Sequence, residues 1–113
     1  MATEPSLVLE ELLSRIGGDR EFAVELLNEF VDSLTREIAA LNLSLEKKDA
    51  EGIRYRAHSL KGSALNLAAR EFARLASLCE NAARNGQFEE IETTLPLLSY
   101  EAETLQSIVL SLG

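Results

Sequence analysis

The chain carries one histidine, His58, in the run Arg56-Ala57-His58-Ser59-Leu60-Lys61-Gly62-Ser63-Ala64. An imidazole can act as a nucleophile, pass a proton or hold a metal. Metal binding finds no support, because there is no second histidine and Cys79 is the only cysteine, so no Cys/His cluster has ligand spacing. No Ser/His/Asp or Cys/His triad can be assembled around His58 either. What remains is a nucleophile with a lysine at i+3 and a glycine at i+4. The ammonium of Lys61 suits a phosphoryl group as a point charge. Gly62, in the middle of a helix, costs about 1 kcal/mol relative to alanine, and its missing side chain clears space beside the imidazole for a bulky group. An ordinary solvated histidine needs none of these neighbours, so the face on which His58 stands matters.

The elements that must position it are helices. Leucine, alanine and glutamate dominate the chain, and all three favour helix, while β-branched and aromatic residues are scarce. A short first helix is expected from Leu7 to Ile16, with Ser6 as N-cap and Gly17-Gly18 as its stop. Asp19 then caps a long second helix. Its apolar stripe is Phe22, Leu26, Phe30, Leu34, Ile38, Leu41 and Leu45, and Lys47-Lys48 close it. Asp49 caps a third, with Ile53, Ala57, Leu60, Ala64 and Leu67 on one face. A fourth runs from about Ala69 to Arg84, with Phe72, Leu75, Ala76, Cys79 and Ala83 inward, and Asn85-Gly86 ends it. The last segment places Phe88, Ile91, Leu95, Leu98, Ala102, Leu105, Val109 and Leu112 on a bundle seam. Pro96 is expected to break it near Leu95 and to start the longer final stretch. Four long amphipathic segments joined by short turns predict an all-α, antiparallel up-down-up-down four-helix bundle with a short additional N-terminal helix.

On the third helix, His58 falls roughly 140° from the centre of the apolar stripe. It shares an outward strip with Gly62 and Leu65, with Arg54 and Lys61 at the margin. Leu65 and Arg54 are therefore candidates for partner contact. Between Gly52 and Arg74 the bases Arg54, Arg56, Lys61, Arg70 and Arg74 face Glu71 alone, in a chain of net charge −8. Such a basic island would speed the docking of an anionic partner. Leu43 on the second helix could pack under the first helix or join the same surface, which Glu37 and Asn42 could also flank.

The run from Ala57 to Ala64, continued by Asn66-Leu67-Ala68-Ala69, resembles the signature of histidine-containing phosphotransfer (HPt) domains of two-component multistep phosphorelays. The resemblance spans nearly the whole chain, including the short first helix and the placement of the motif after the first long hairpin. It implies that His58 accepts and donates a phosphoryl group, that Lys61 steadies the negative charge and that Gly62 leaves room for the phosphoryl group and an incoming receiver domain. Ser63 and Ala64 match small residues that allow close helix packing. The family often has glycine before the alanine where this chain has Ala68-Ala69, which implies a small change at the end of the third helix.

The resemblance implies response-regulator receiver domains and an upstream sensor or hybrid histidine kinase as partners. It implies a phosphoryl carrier without ATP-dependent kinase activity, with no cofactor of its own and the Mg²⁺ on the receiver. Two other readings stand beside it: a docking-only helical adaptor, and the phosphotransfer module of a chemotaxis-type or hybrid histidine kinase. The net charge argues against nucleic acid. No apolar run reaches the ~20 residues of a membrane span, and the N-terminus has no signal-peptide pattern. The expectation is a single domain over residues 1–113, a cytoplasmic monomer and, from the initiating Met and the end at Gly113, a free-standing chain.

Overall fold

The structure is a computed structural model and describes residues 3–113. It contains five helices: α1 (Leu9–Arg15), α2 (Arg20–Glu46), α3 (Ala50–Asn66), α4 (Arg70–Arg84) and α5 (Phe88–Ser111). No strand occurs among the described residues. Helix α2 packs on α3, α3 on α4, α4 on α5, and α5 back on α2, which closes a four-helix bundle, while α1 lies against α2. The 27 residues of α2, rising about 1.5 Å each, give a helix about as long as the molecule's 42 Å longest extent.

Why the helices begin where they do is partly written in side chains. Asp19 accepts a hydrogen bond from the Phe22 N–H at 3.0 Å, and Asp49 accepts one from the Gly52 N–H at 2.9 Å. Each satisfies a donor that the first turn leaves free. The other three starts have no such cap. Ser6 does not cap α1, which begins after Val8, whose N–H instead donates to the Ala68 carbonyl at 3.0 Å.

The first four helices end in one common way. The residue just past the end takes a positive φ, at Gly17 (81°), Lys48 (55°), Ala68 (60°) and Gly86 (68°). The N–H of the following residue then reaches back five positions: Gly18 to Leu13, Asp49 to Ser44, Ala69 to Ala64, Gln87 to Ala82. This is the closure that glycine favours. Lys48 and Ala68 adopt it without being glycine, at a cost of roughly 1 kcal/mol each. The expected adjustment at Ala68-Ala69 is therefore a strained backbone at Ala68, and α3 still ends beside it.

The core follows the expected stripes with two corrections. In α2 the buried positions are Ala23, Leu27, Phe30, Val31, Leu34, Ile38 and Leu41, while Phe22 is exposed and Leu26 only half-buried. Ala23, Leu27 and Phe30 recur at helical spacing, so the inward arc enters one residue later than the larger side chains of Phe22 and Leu26 suggest. In α5, Pro96 does not break the helix, which runs unbroken from Phe88 to Ser111. Proline removes one backbone donor, and the buried seam on both sides of it (Ile91, Leu95, Leu98, Ala102) holds the helix against α2 and α4. Phe72 of α4 meets Phe30 of α2 edge to face, with ring centroids 5.6 Å apart, a favoured aromatic geometry.

Candidate functional site

Packing of α3 against α4 brings residues 22 positions apart into contact around one buried carboxylate. The α3 stripe of Ile53, Ala57, Leu60 and Ala64 faces the core. That leaves His58 outside, with 65% of its side chain exposed. Its Nδ1 lies 2.8 Å from Glu80 Oε2 on α4. Lys61 Nζ stands 2.7 Å from Glu80 Oε1 as an ion pair. Arg84, one turn further along α4, donates to Glu80 Oε2 at 3.1 Å and to Asn81 Oδ1 at 3.0 Å. The Glu80 side chain is only 2% exposed. Burial pushes its carboxyl upward, but the contacts and charges of Lys61 and His58 outweigh that and hold it below the ordinary carboxylate range. Glu80 is thus an ionised carboxylate under an exposed imidazole.

With Nδ1 engaged, Nε2 is the free ring nitrogen of an exposed side chain. Gly62, one turn on from His58, is exposed, and a Cβ built there would meet nothing within 4 Å. No contact inside this chain therefore requires glycine at that position. Leu65, half exposed, lies on the same strip. It borders an open groove of about 720 Å³ that also touches Lys61, Ala73 and Ser77, with Arg15 of α1 at its end. Arg15 donates to the Leu65 and Asn66 carbonyls at 2.7 and 3.1 Å, tying α1 to the end of α3.

The structure brings His58, Lys61, Gly62 and Leu65 to one surface. Arg54 stands at its margin, where its guanidinium is paired with Glu51 at 3.0 Å. The basic island is corrected: each of its five members has a carboxylate partner. Arg56 pairs with Glu37, Lys61 with Glu80, Arg70 with Glu11 and Arg74 with Glu71. The region is a mosaic of ion pairs, and its long-range field is correspondingly weak. Asn42 Nδ2 donates to the Ile38 carbonyl, and Leu43 is half exposed.

Glu80 and Arg84 were not legible as site residues. Yet a signal existed. Glu80 lies four residues after Ala76 and three before Ala83, both buried, so it falls on the inner arc of α4. A charge on that arc needs a partner.

The candidate site is thus one exposed histidine over a buried acid on a helical bundle, and comparison with known proteins gives the family of the chain. The Hpt domain model matches residues 25–108, and the chain belongs to the Hpt domain family. It is similar to the phosphorelay intermediate protein rdeA of Dictyostelium discoideum, 28% identical over 92 residues. That match takes in 81% of this chain and 36% of the relative, so the chain spans about a third of that protein's length. In fold it is similar to the histidine-containing phosphotransfer protein B (HptB) of Pseudomonas aeruginosa PAO1, with a TM-score of 0.87 over 96% of this chain and 95% of that one, at 24% identity.

Proposed function

We propose that this chain is a phosphoryl carrier of a multistep phosphorelay, in which His58 Nε2 takes a phosphoryl group from a receiver-domain aspartate and passes it to another. The observation that carries this reading is the Glu80 contact. A carboxylate 2.8 Å from Nδ1 favours the tautomer with hydrogen on Nδ1 and leaves the lone pair on Nε2. The Nε2 lone pair attacks phosphorus. The N–P bond forms as the O–P bond of the acyl phosphate breaks, and the departing carboxylate keeps that electron pair. The ring becomes a phosphoimidazolium cation, with its Nδ1–H still donated to Glu80. No proton has to leave, so no general base is needed. The reverse transfer retraces the path. Catalysis is then positioning and charge stabilisation.

Lys61 is held beside the ring by Glu80 and steadies the incoming phosphoryl oxygens. Gly62 gives the receiver room to approach, and Leu65 with the neighbouring groove offers apolar contact. Arg54 lies at the edge of that footprint. The receiver brings the Mg²⁺ and the acidic pocket, an upstream sensor or hybrid kinase loads the relay, and the carrier has no kinase activity of its own. It works as a single domain, as a monomer in the cytoplasm. No helix is long and apolar enough to cross a membrane among the described residues, which is compatible with that location.

The test is transfer from a ³²P-labelled receiver. The wild type should acquire acid-labile, base-stable label, and His58→Gln should acquire none while keeping its helical spectrum. Label that persists in His58→Gln would remove His58 from the reaction. A folded wild type that takes no label from a panel of receivers would favour a docking-only adaptor.

A further inference from the structure

Three bases neighbour His58, and they differ in how firmly they are held. Lys61 pairs with Glu80, and Arg84 donates to the same carboxylate. Glu80 is buried, so drawing either base away would leave a buried charge short of a partner, which is costly. Arg54 stands differently. It lies four residues before His58 on α3, the spacing of neighbours on one helix face. Its guanidinium engages Glu51 as a fork, Nε to Oε1 at 3.0 Å and Nη2 to Oε2 at 3.2 Å. The Glu51 side chain is 83% exposed. Water replaces the partner when such a pair opens, so the pair contributes little and opens readily. Helical side chains lean toward the turn on their N-terminal side. The imidazole of His58 therefore leans over the turn that carries Arg54, and Lys61 leans back toward the ring from the other side. The contact with Glu51 raises the Arg54 guanidinium above its ordinary range, and the charge of Glu80 adds to that.

We infer that Arg54 is a phosphoryl-binding residue: once Nε2 carries a phosphoryl group, the guanidinium leaves Glu51 and closes on the phosphoryl oxygens. The inference rests on the carrier reading of His58 and adds a residue to it. A phosphorylated side chain carries close to two negative charges near neutral pH. That charge arises one turn from Arg54 and two turns from Glu51, which repels it. A guanidinium presents a planar fork that matches phosphate as well as carboxylate, so one forked contact is exchanged for another of greater charge. Lys61 reaches the same oxygens without leaving Glu80, because an ammonium has three donors. Hydrolysis limits the life of the phosphohistidine. Water attacks phosphorus, the N–P bond breaks, its electron pair returns to Nε2 and inorganic phosphate leaves. In a loose transition state the charge on the equatorial oxygens falls as the N–P bond lengthens. A cation on those oxygens therefore holds the phosphohistidine more strongly than its transition state, and lengthens its life.

The experiment loads the full chain with phosphoramidate, a small donor whose own N–P bond breaks as the bond to Nε2 forms, releasing ammonia. Excess donor is then removed. Decay of the phosphohistidine is followed by ³¹P NMR, and the guanidinium by the ¹⁵N–¹H signal of Arg54 Nε. Loading should move that signal. The phosphohistidine of Arg54→Gln should decay roughly three- to tenfold faster, the loss of a charge-assisted contact at an exposed site, and Arg54→Lys should recover part of the difference. Glu51→Gln should decay more slowly than the wild type, because the guanidinium is released and the repelling charge is gone. Both glutamine variants break the same ion pair, so a role confined to steadying the helix would move the two in the same direction. A wild-type lifetime in Arg54→Gln, or an Nε signal unmoved by loading, would overturn the role of Arg54 and leave His58 as the carrier. A folded wild type that takes no phosphoryl group at His58 from phosphoramidate would overturn the carrier reading, and this role with it.

Discussion

At the residue scale the candidate site sets an exposed imidazole over a buried acid, and the proposed function makes the first the nucleophile and the second the group that orients it. Glu80→Gln keeps the shape and removes the charge that selects the Nδ1–H tautomer and offsets the ring's positive charge. A charge-assisted hydrogen bond contributes about 1.5–3 kcal/mol, but His58 is largely exposed, so the expected loss in transfer rate is roughly tenfold, at the low end. Stopped-flow transfer from a phosphorylated receiver measures it, and an unchanged rate would exclude Glu80 from the mechanism. Gly62→Ala separates stability from function. An added Cβ meets nothing in the free protein, so the variant should be more stable by up to about 1 kcal/mol through helix propensity, yet slower in transfer because the methyl stands where the receiver approaches. A variant that is stabilised and transfers at the wild-type rate would show that Gly62 clears no space for a partner. The histidine, lysine and glycine were legible because their spacing sets a helical strip. Glu80 was not, because its partners lie on another helix and only the packing of α3 on α4 joins them.

Elements show the same boundary between local and tertiary information. The caps Asp19 and Asp49 could be read from sequence because the acceptor is three residues from its donor. Asp49→Ala should cost about 1 kcal/mol, measured by urea denaturation, and it should loosen the start of the helix that carries His58. The helix ends at Gly17 and Gly86 were equally legible. Those at Lys48 and Ala68 were visible only as boundaries, since neither residue type signals a positive φ, which accompanies the closing hydrogen bonds from Asp49 N–H to Ser44 and from Ala69 N–H to Ala64. Pro96 misled for a related reason. Its local effect is to break a helix, and the buried seam of α5 overrides it. The apolar stripe of α4 predicted Cys79 as a core residue, and burial pushes its thiol up to about 12. Alkylation of Cys79 in the native state should therefore be slow and should track unfolding. Rapid labelling of folded protein would contradict the placement of α4.

For the whole molecule, pH acts on two opposed sets of carboxyls. Glu71 is held below its ordinary range by its hydrogen-bonded pair with Arg74, which outweighs burial. Glu80 is held low in the same sense, burial being outweighed by Lys61 and His58. Their contribution to stability is present at neutral pH and is lost as pH falls through their depressed values. Glu101 is raised, by burial and by the charge of Glu71. Its ionisation opposes folding, absent below the unfolded-state value of about 4.3 and growing as pH rises through the raised one. Glu101→Gln should consequently raise the Tm at pH 7 and have little effect near pH 4, as read by calorimetry. A lower Tm at pH 7 would mean that the ionised form is favourably paired. The central claim is the identity of the phosphorylated atom. It is tested most directly by ³¹P NMR of the wild type and His58→Gln after incubation with a phosphorylated receiver and Mg²⁺. The account predicts one phosphohistidine resonance, assigned to Nε2 through coupling to the ¹⁵N-labelled ring and absent from His58→Gln. A resonance assigned to Nδ1, or one that survives in His58→Gln, would contradict it.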